Sequence, residues 1–428
     1  MDVTARSLWR HADFMKLWTG QTVSELGSVV TRTALPIVAV ITLHADALQV
    51  GILVASASTA VLLIGLFAGA LVDRSHRRPL MIAADAIRAV LLLSIPAAAL
   101  SGTLRMEQLY IVAFIEAALG AIFDIAYRTY LPSLLPEARL LEGNAKIGMT
   151  SAIAEIGGPG FAGALVQLIT APMAMLVDAI SYVFSAASIL VIRAPERAVE
   201  HVDGPAGLRH RLAEGIAAVA RHRLLRPMAL ATLVAAFFGN FFASLYTLYV
   251  LDELALSPLD LGIIISAGGI GSLAASFLVA PVTRRFGIGP TIVWTRVGAG
   301  LLALLVPIAG GPPLVAAAFL FVPQLFGDGL HTVSQIDQLT LRQQVTPPRI
   351  LGRVNGTMHV LVEGVGPVGA IAGALIAEAF GIRTALWVSV LGTLAGTTLL
   401  VLSPLRGFHS VAAHWPDPPD GQSLANGY

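Results

Sequence analysis

The chain has 428 residues, of which 56% are hydrophobic and only 12% are charged, and its mean hydropathy is +0.78. Because a soluble domain carries about 25% charged residues, this composition excludes a soluble body held by a single membrane anchor. The net charge of +1 gives no electrostatic reason to expect a nucleic-acid partner, and the lack of cysteine excludes disulfides and thiol chemistry.

The predicted elements are membrane-spanning helices. The first segment, 1–16, is polar and lacks the apolar core of a cleaved signal peptide. Twelve apolar stretches follow that reach the about 20 residues a helix needs to cross a bilayer. We predict an all-α integral membrane protein, because a lipid-facing strand would leave backbone groups unpaired. The spans are 17–43, 48–72, 79–100, 107–131, 144–169, 173–192, 227–251, 258–282, 288–309, 313–340, 354–380 and 383–403.

The loops are strongly biased in arginine and lysine. If both termini are in the cytoplasm, only Arg105 and Arg383 lie clearly outside, and the other loop arginines and lysines lie on the cytoplasmic side. We therefore predict this orientation in the plasma (inner) membrane. The central loop, 193–226, is then cytoplasmic. Its part 208–225 has the spacing of an amphipathic helix on the membrane surface, although a solvated linker explains the charges equally well. The proline-rich tail, 404–428, is predicted to be disordered.

The two halves repeat each other. Residues 48–52 (LQVGI) recur as 259–263 (LDLGI) at an offset of 211, whereas 155–159 (EIGGP) match 363–367 (EGVGP) at 208, and Arg88 matches Arg296 at 208. We predict two like-oriented six-helix bundles, 17–192 and 227–403. Parallel repeats in so apolar a chain indicate a transporter with its site between the halves.

The loop after the second span contains the pattern Gly-x3-Asp-Arg-x2-Arg-Arg, formed by Gly69, Asp73, Arg74, Arg77 and Arg78. With six plus six spans and a long central loop, it resembles the major facilitator superfamily (MFS). The resemblance covers about residues 8–405 and is narrowed by further patterns to the third drug:proton antiporter group, with its enterobactin-exporter-like and macrolide-efflux-like proteins. These patterns are Gly20-Gln21, Asp85-x2-Arg88, Phe123-Asp124-x2-Tyr127 and Asp178-x2-Ser181-Tyr182.

This resemblance implies the MFS fold and alternating access around a central cavity lined by spans one, four, seven and ten. One departure is visible: the branch often has an acidic residue after the glycine of span one, where this chain has Ser28, with Glu25 one turn earlier.

Two motifs suggest moving parts. The basic motif of Gly69, Asp73, Arg74, Arg77 and Arg78 predicts a cytoplasmic gate that latches the halves; membrane anchoring by the arginines is the alternative. The pairs Gly158-Pro159 and Gly366-Pro367 predict hinges in spans five and eleven, with close helix packing as the alternative.

Charged residues inside spans are costly and are expected to face the protein interior. The deeper glutamates, Glu25, Glu116, Glu155 and Glu363, are candidates for proton coupling, because a buried carboxyl group takes up a proton more readily. The alternative for each of these glutamates is a neutral, hydrogen-bonded side chain with a packing role only. Asp85 and Arg88 are predicted to form a local ion pair, and Asp178 to accept structural hydrogen bonds.

Polar and aromatic residues on the predicted cavity helices are candidates for substrate contact, although packing is the alternative for the aromatic ones. We expect Glu116 to face the same cavity as Glu25. The candidates are Arg32, Asp124, Arg128, Phe238, Asn240, Phe241, Asp328, His331 and Gln335.

These features predict a secondary transporter that exports an amphipathic organic compound (a drug, siderophore or secondary metabolite) in exchange for protons. An importer of a small metabolite and, further off, a membrane-embedded lipid-modifying enzyme are alternatives. We expect no enzymatic activity, since no nucleophile and base set stands out. No ATP-binding loop or metal-ligand cluster is evident, so no cofactor is expected. The expected partners are the substrate, protons and the lipid bilayer, without nucleic acid, and the protein is expected to be a monomer.

Overall fold

The computed structural model describes residues 8–73, 75–194 and 208–409, without the side chains of Arg10, 66–71, 73 and 208–212. These residues form helices and no strands. The first six are α1 Ala12–Thr42, α2 Ala47–Asp73, α3 Arg77–Leu100, α4 Met106–Leu134, α5 Glu137–Ile169 and α6 Ala171–Leu190. Then come α7 Leu208–Arg221, α8 Leu225–Glu253, α9 Pro258–Phe286, α10 Ile288–Ile308, α11 Pro313–Val345, α12 Pro348–Phe380 and α13 Ile382–Val401.

Twelve of these helices are long and apolar enough to cross a membrane, which confirms the predicted all-α fold. Many large apolar side chains are exposed on them, such as Leu168 and Leu314, and a soluble protein would not tolerate so much exposed apolar surface.

Several helices are longer than their apolar stretches. α5 begins at Glu137, seven residues before the predicted start, and α12 begins at Pro348 rather than at 354. α1 also starts earlier, at Ala12, because His11 Nδ1 accepts a hydrogen bond of 3.1 Å from the Phe14 N–H and caps the helix. Hydropathy marks the lipid-facing part of a helix, whereas capping and propensity decide where the helix ends.

The internal repeat is visible in the backbone at one constant offset of 211. The bounds of α5 and α12, and those of α6 and α13, differ by this number at both ends. The π-helical turns Val38–Thr42 and Tyr249–Glu253 match in the same way. So do the left-handed residues His44 and Ala255, which share a φ of 51°.

This constant offset corrects the two matches made at 208. The counterpart of Gly158 is Gly369, so the two Gly-Pro pairs lie one helical turn apart instead of superimposing. In α3 and α10 the offset of 211 aligns Pro96 with Pro307, and it makes Arg296 the counterpart of Asp85 rather than of Arg88.

The helices form two bundles, α1–α6 and α8–α13, that meet along a seam where α5 packs against α9 and α2 against α12. The end at which α2 leads into α3 carries Arg77 and Arg78, and we call it the arginine-rich end. At the opposite end a single apolar cluster joins both bundles, with Val38 and Val50 from one and Tyr249 and Leu261 from the other.

At the arginine-rich end the apolar core is divided. One cluster, including Met81 and Phe123, belongs to the first bundle, and another, including Ile292 and Val354, belongs to the second. Among the described side chains, the apolar cluster that contains residues of both bundles lies at the opposite end, so apolar packing holds the bundles together there.

The helix of the central loop, α7, docks on the second bundle instead of lying free. Val219 is buried in the apolar cluster of that bundle, and Glu214 forms an ion pair with Arg353 of α12. Gly215 permits this contact, since a Cβ there would lie 3.1 Å from the Arg353 carbonyl carbon. The alternative of a plain solvated linker is thus wrong, because packing against α12 covers part of the apolar side of α7, whereas its position at the membrane surface stays a prediction.

Candidate functional site

A cavity of about 530 Å³ lies on the seam between the two bundles. Its charged residues come from three helices, and its apolar lining includes Val29, Pro159 and Ile265. The charged residues are Glu25 and Arg32 of α1, Glu155 of α5 and Asp328 of α11. Four of the predicted site residues therefore meet in one place, which we call the central cavity.

The central cavity has an excess of negative charge when its carboxylates are ionised. Arg32 Nη2 lies 3.6 Å from Glu25 Oε1, so these two side chains form an ion pair with each other. The Arg32 side chain is 61% exposed, so the pair is open to solvent. Glu155 and Asp328 lie within electrostatic reach of each other and outside that pair. A single guanidinium thus faces three carboxylates, which favours cationic ligands or protons.

Glu116 does not line this cavity, contrary to expectation. It lies inside the first bundle, where its Oε1 accepts hydrogen bonds from Arg88 Nη2 at 2.5 Å and from the Tyr182 hydroxyl at 3.0 Å. It points away because α4 turns this face toward α3 and α6. Arg88 also lies 3.8 Å from Asp85, so the predicted local pair exists but is part of a larger set.

The set continues into α1. The Tyr182 hydroxyl lies 2.9 Å from Ser28 Oγ, and the Arg88 guanidinium is 4.0 Å above the Tyr182 ring. We call Ser28, Asp85, Arg88, Glu116 and Tyr182 the buried polar group. The sequence analysis did not identify Tyr182 as a partner of Ser28 and Glu116. The only signal was Ser28 itself, which stands where related proteins often have an acidic residue.

Asp178 accepts hydrogen bonds from the hydroxyl groups of Thr31 and Ser181, which agrees with the structural role expected for it. Glu363, the remaining coupling candidate, lines neither the central cavity nor the second cavity described next.

A second cavity, of about 200 Å³, lies within the second bundle and is lined by residues of α8, α10, α11 and α13. We call it the C-terminal cavity. Asp328 and His331 line it as predicted neighbours on α11, and Asp328 borders both cavities. Gln335, one turn further on, lines neither of them.

The predicted aromatic contacts are corrected by the structure. Phe241 is only 1% exposed and packs on Gly373 of α12, while Phe238 packs on Gly392 of α13. These rings fill the space that the glycines leave between helices. Asn240 Nδ2 donates to the Ala236 carbonyl at 2.8 Å. Phe242, another member of the aromatic cluster in this span, is the ring that reaches the C-terminal cavity.

Asp124 and Arg128 lie on an exposed face of α4. No ion pair between them is recorded in the described part of the chain. Asp124 is within electrostatic reach of Glu25 and Arg32, so it lies near the central cavity without lining it.

The basic motif is only partly visible. Gly69 and Asp73 belong to α2 where the structure describes the backbone alone, and Arg74 lies outside the described residues. Arg77 starts α3. Arg78 donates from Nε and Nη2 to the carbonyls of Ile189 and Leu190 at 3.2 and 2.7 Å, so it ties α3 to the end of α6. The gate latch stays a prediction.

The predicted hinge pairs lie inside continuous helices, since α5 and α12 run through Pro159 and Pro367. Gly158 packs against Val29 of α1, and Gly366 lies near Asn240 of α8. These contacts show close helix packing, and the hinge role stays a prediction.

Comparisons with known proteins agree with this architecture. The chain is 27% identical to the multidrug efflux pump Tap of Mycolicibacterium fortuitum over 393 residues, covering 89% of this chain and 93% of that pump. It is 25% identical to macrolide efflux protein A of Streptococcus pyogenes over 387 residues, covering 89% and 93%.

Among solved structures, the nucleoside transporter NupG matches with a TM-score of 0.73 at 15% identity, covering 91% of this chain and 98% of that one. A bacterial homologue of the iron transporter ferroportin matches at 18% identity with a TM-score of 0.71 in its inward-facing state, over 92% of this chain and 99% of that one. In its outward-facing state the TM-score is 0.58, over 91% and 98%.

The family model of the Major Facilitator Superfamily matches residues 17–367. The resemblance seen in the sequence is thereby confirmed: this chain is a multi-pass membrane transporter, not an enzyme, and it belongs to the Major Facilitator Superfamily.

Proposed function

We propose that this transporter exports amphipathic organic compounds in exchange for protons, by alternating access. The observation that carries the proposal is the central cavity, where three carboxylates and one guanidinium lie beside apolar side chains on the seam between the bundles. A cationic, partly apolar compound matches both features, and a proton can neutralise the same carboxylates when the compound leaves.

The coupling residues favoured by this geometry are Glu25, Glu155 and Asp328. All three line the cavity in which the compound would bind, so protonation and binding compete directly. Glu116 is held by Arg88 and Tyr182, which suits a positioning role better than release of a proton to the cavity. Export as the direction is supported by the names of the relatives, which are described as efflux pumps.

We also propose a plasma-membrane location with the termini and the arginine-rich end in the cytoplasm, since positive charge is retained on that side. The structure would then correspond to an inward-open state, because the apolar cluster shared by both bundles lies at the opposite, outer end. In this state a compound reaches the central cavity from the cytoplasm or the inner leaflet. We propose that the protein acts as a monomer of two bundles, 17–192 and 227–403, joined by 193–226.

The test uses the full chain in proteoliposomes with a pH-sensitive dye inside and ethidium, an amphipathic cation, as the probe. An imposed ethidium gradient should drive proton movement in the opposite direction. Glu155→Gln and Asp328→Asn should reduce that movement at least tenfold. The matched control is Glu107→Gln, at an exposed position in the first turn of α4, which should behave like the wild type.

Ethidium movement without proton movement would contradict the coupling, and undiminished coupling in both cavity variants would contradict the assignment of the site. Co-directional movement of ethidium and protons would indicate import and would overturn the proposed direction.

A further inference from the structure

The C-terminal cavity exists because four positions of the second bundle carry small side chains. In the first bundle the corresponding positions hold most of the buried polar group, which fills the same space with an ion pair and a tyrosine. At the offset of 211, Ser28, Arg88, Glu116 and Tyr182 correspond to Gly239, Ala299, Gly327 and Thr393, all of which line the cavity.

One strong charge remains in this space. Arg296 of α10, the counterpart of Asp85, lines the cavity. Within the described residues its recorded polar contact is His331 Nδ1 at 3.5 Å, and no carboxylate lies within the 4.0 Å of an ion pair. Asp328 does not form an ion pair with it, since its Oδ2 lies next to Gly268 of α9, where a Cβ would otherwise be, and both residues line the central cavity.

The arginines inside the two bundles therefore differ in their partners. Arg88 forms an ion pair with Glu116 at 2.5 Å and lies 3.8 Å from Asp85. Arg296 instead lines the C-terminal cavity. A guanidinium is costly within a span unless an anion or water compensates it. Its planar fork fits a carboxylate with two parallel hydrogen bonds.

We propose that the C-terminal cavity is a binding site for a small organic acid, whose carboxylate pairs with Arg296. The apolar body of the ligand would rest against Phe242, Pro323 and Val390, which also line the cavity. The volume of about 200 Å³ is several times the about 30 Å³ that one water molecule occupies, so the site accommodates a molecule of the size of benzoate.

This inference goes beyond the proposed function and does not depend on it, because binding is measured without any gradient. The carboxylate could belong to a transported compound or to a separate organic acid. Asp328 borders both cavities, so an acid bound at Arg296 would change the electrostatic environment of the central cavity in either case.

The experiment measures thermal unfolding of the purified full chain in lipid nanodiscs with sodium benzoate as the probe. Benzoate should raise the midpoint of unfolding in a saturable manner. Benzamide, which has nearly the same shape without the charge, and sodium chloride at equal ionic strength should not. Uptake of labelled benzoate into proteoliposomes, compared with protein-free vesicles, then distinguishes a transported acid, which the protein carries inside, from a separate one, which it only binds.

Two variants test the site from opposite directions. Arg296→Gln removes the cation, and the half-saturating benzoate concentration should rise at least about tenfold, as expected when a charged hydrogen bond is lost. Gly327→Glu places a carboxylate at the position corresponding to Glu116. A Cβ there would lie 4.0 Å from Leu302 Cβ, so the side chain has room, and it should abolish the benzoate effect by pairing with Arg296. Arg383→Gln, an exposed arginine paired with Glu253, is the control that keeps wild-type binding.

Equal benzoate binding by the wild type and either cavity variant would overturn the proposal. So would the lack of any shift in the wild type, or a shift given by chloride alone. If Arg296→Gln fails to fold, the Gly327→Glu variant decides the question.

Discussion

The seam between α5 and α9 should control which conformation the transporter adopts. A Cβ at Gly163 would lie 3.1 Å from Leu259 Cα, against backbone that cannot rotate away. Carbon atoms pack best at about 3.5–4.0 Å, so Gly163→Val requires the two helices to separate by about 0.5–1 Å. Overpacking of this kind costs about 1–3 kcal/mol. Because the contact joins the bundles in the present state, we expect that state to lose population by a factor of about 5–150.

Distances between spin labels measure this shift, and the chain helps because it contains no cysteine of its own. Cysteine pairs are placed at exposed leucines on either side of the seam: Leu141 with Leu402 at the arginine-rich end, and Leu168 with Leu314 at the opposite end. In the Gly163→Val background the first distance should become shorter and the second longer, as expected when the sealed end opens.

The matched control is Gly148→Val, the same substitution on the same helix at a position where a Cβ would meet nothing within 4 Å. It should leave both distances unchanged. Unaltered distances in Gly163→Val, or equal changes in both variants, would refute the view that close packing at this seam sets the balance between states.

Three further predictions concern stability. Tyr182→Phe should lower the free energy of unfolding by about 1–3 kcal/mol, because Ser28 and Glu116 lose a buried partner, and adding Ser28→Ala should then cost little in a double-mutant cycle. Burial lowers the pKa of His222, whose Nδ1 accepts hydrogen bonds from the Leu224 and Leu225 N–H groups at the start of α8. The free energy of unfolding should therefore fall as the pH drops below 6.5, the pKa of an ordinary histidine. His222→Asn should flatten this pH dependence in thermal unfolding. Gly215→Val should lift α7 from α12 and speed tryptic cleavage of the central loop, whereas undiminished protection would contradict the docking.

The twelve spans were predictable because apolar stretches of sufficient length have few other uses in a protein. The docking of α7 was not, since a helix with charged residues on one side has the same sequence pattern on a membrane surface and on another helix. Contacts in the structure show the docking: Gly215 and Glu214 meet Arg353, 138 and 139 positions further along the chain, and Val219 is buried in the second bundle.

The candidate site was predictable in part for a similar reason. Glu25, Arg32, Glu155 and Asp328 were selected as charges inside spans, and the fold brings all four to one cavity. Helical periodicity places a residue on a face of its own helix but does not say what that face meets. Glu116 was for this reason assigned to the wrong neighbour.

The match of the Gly-Pro pairs at 208 shows a further limit of comparing letters. Two short, glycine-rich segments align equally well when shifted by one helical turn, because each turn presents similar small residues. The backbone removes this ambiguity: the helix bounds, the π-helical turns and the left-handed residues all repeat at 211. The choice of register matters, because at 208 Arg296 duplicates Arg88, whereas at 211 it stands where the first bundle has Asp85.

The alignment at an offset of 211 also explains how two duplicated bundles can differ in function. In the first bundle Arg88 is paired with Glu116 and Tyr182 covers the pair, so this arginine is neutralised by a carboxylate of its own bundle. In the second bundle small side chains leave a cavity, and among the residues that the structure describes no carboxylate forms an ion pair with Arg296. A filled, internally paired interior resists rearrangement, because separating any member leaves a buried charge without a partner. The ligand-responsive part of the molecule should therefore be the second bundle, with Asp328 as its link to the central cavity. The label pairs test this directly: benzoate should change their distances in the wild type and leave them unchanged in Arg296→Gln.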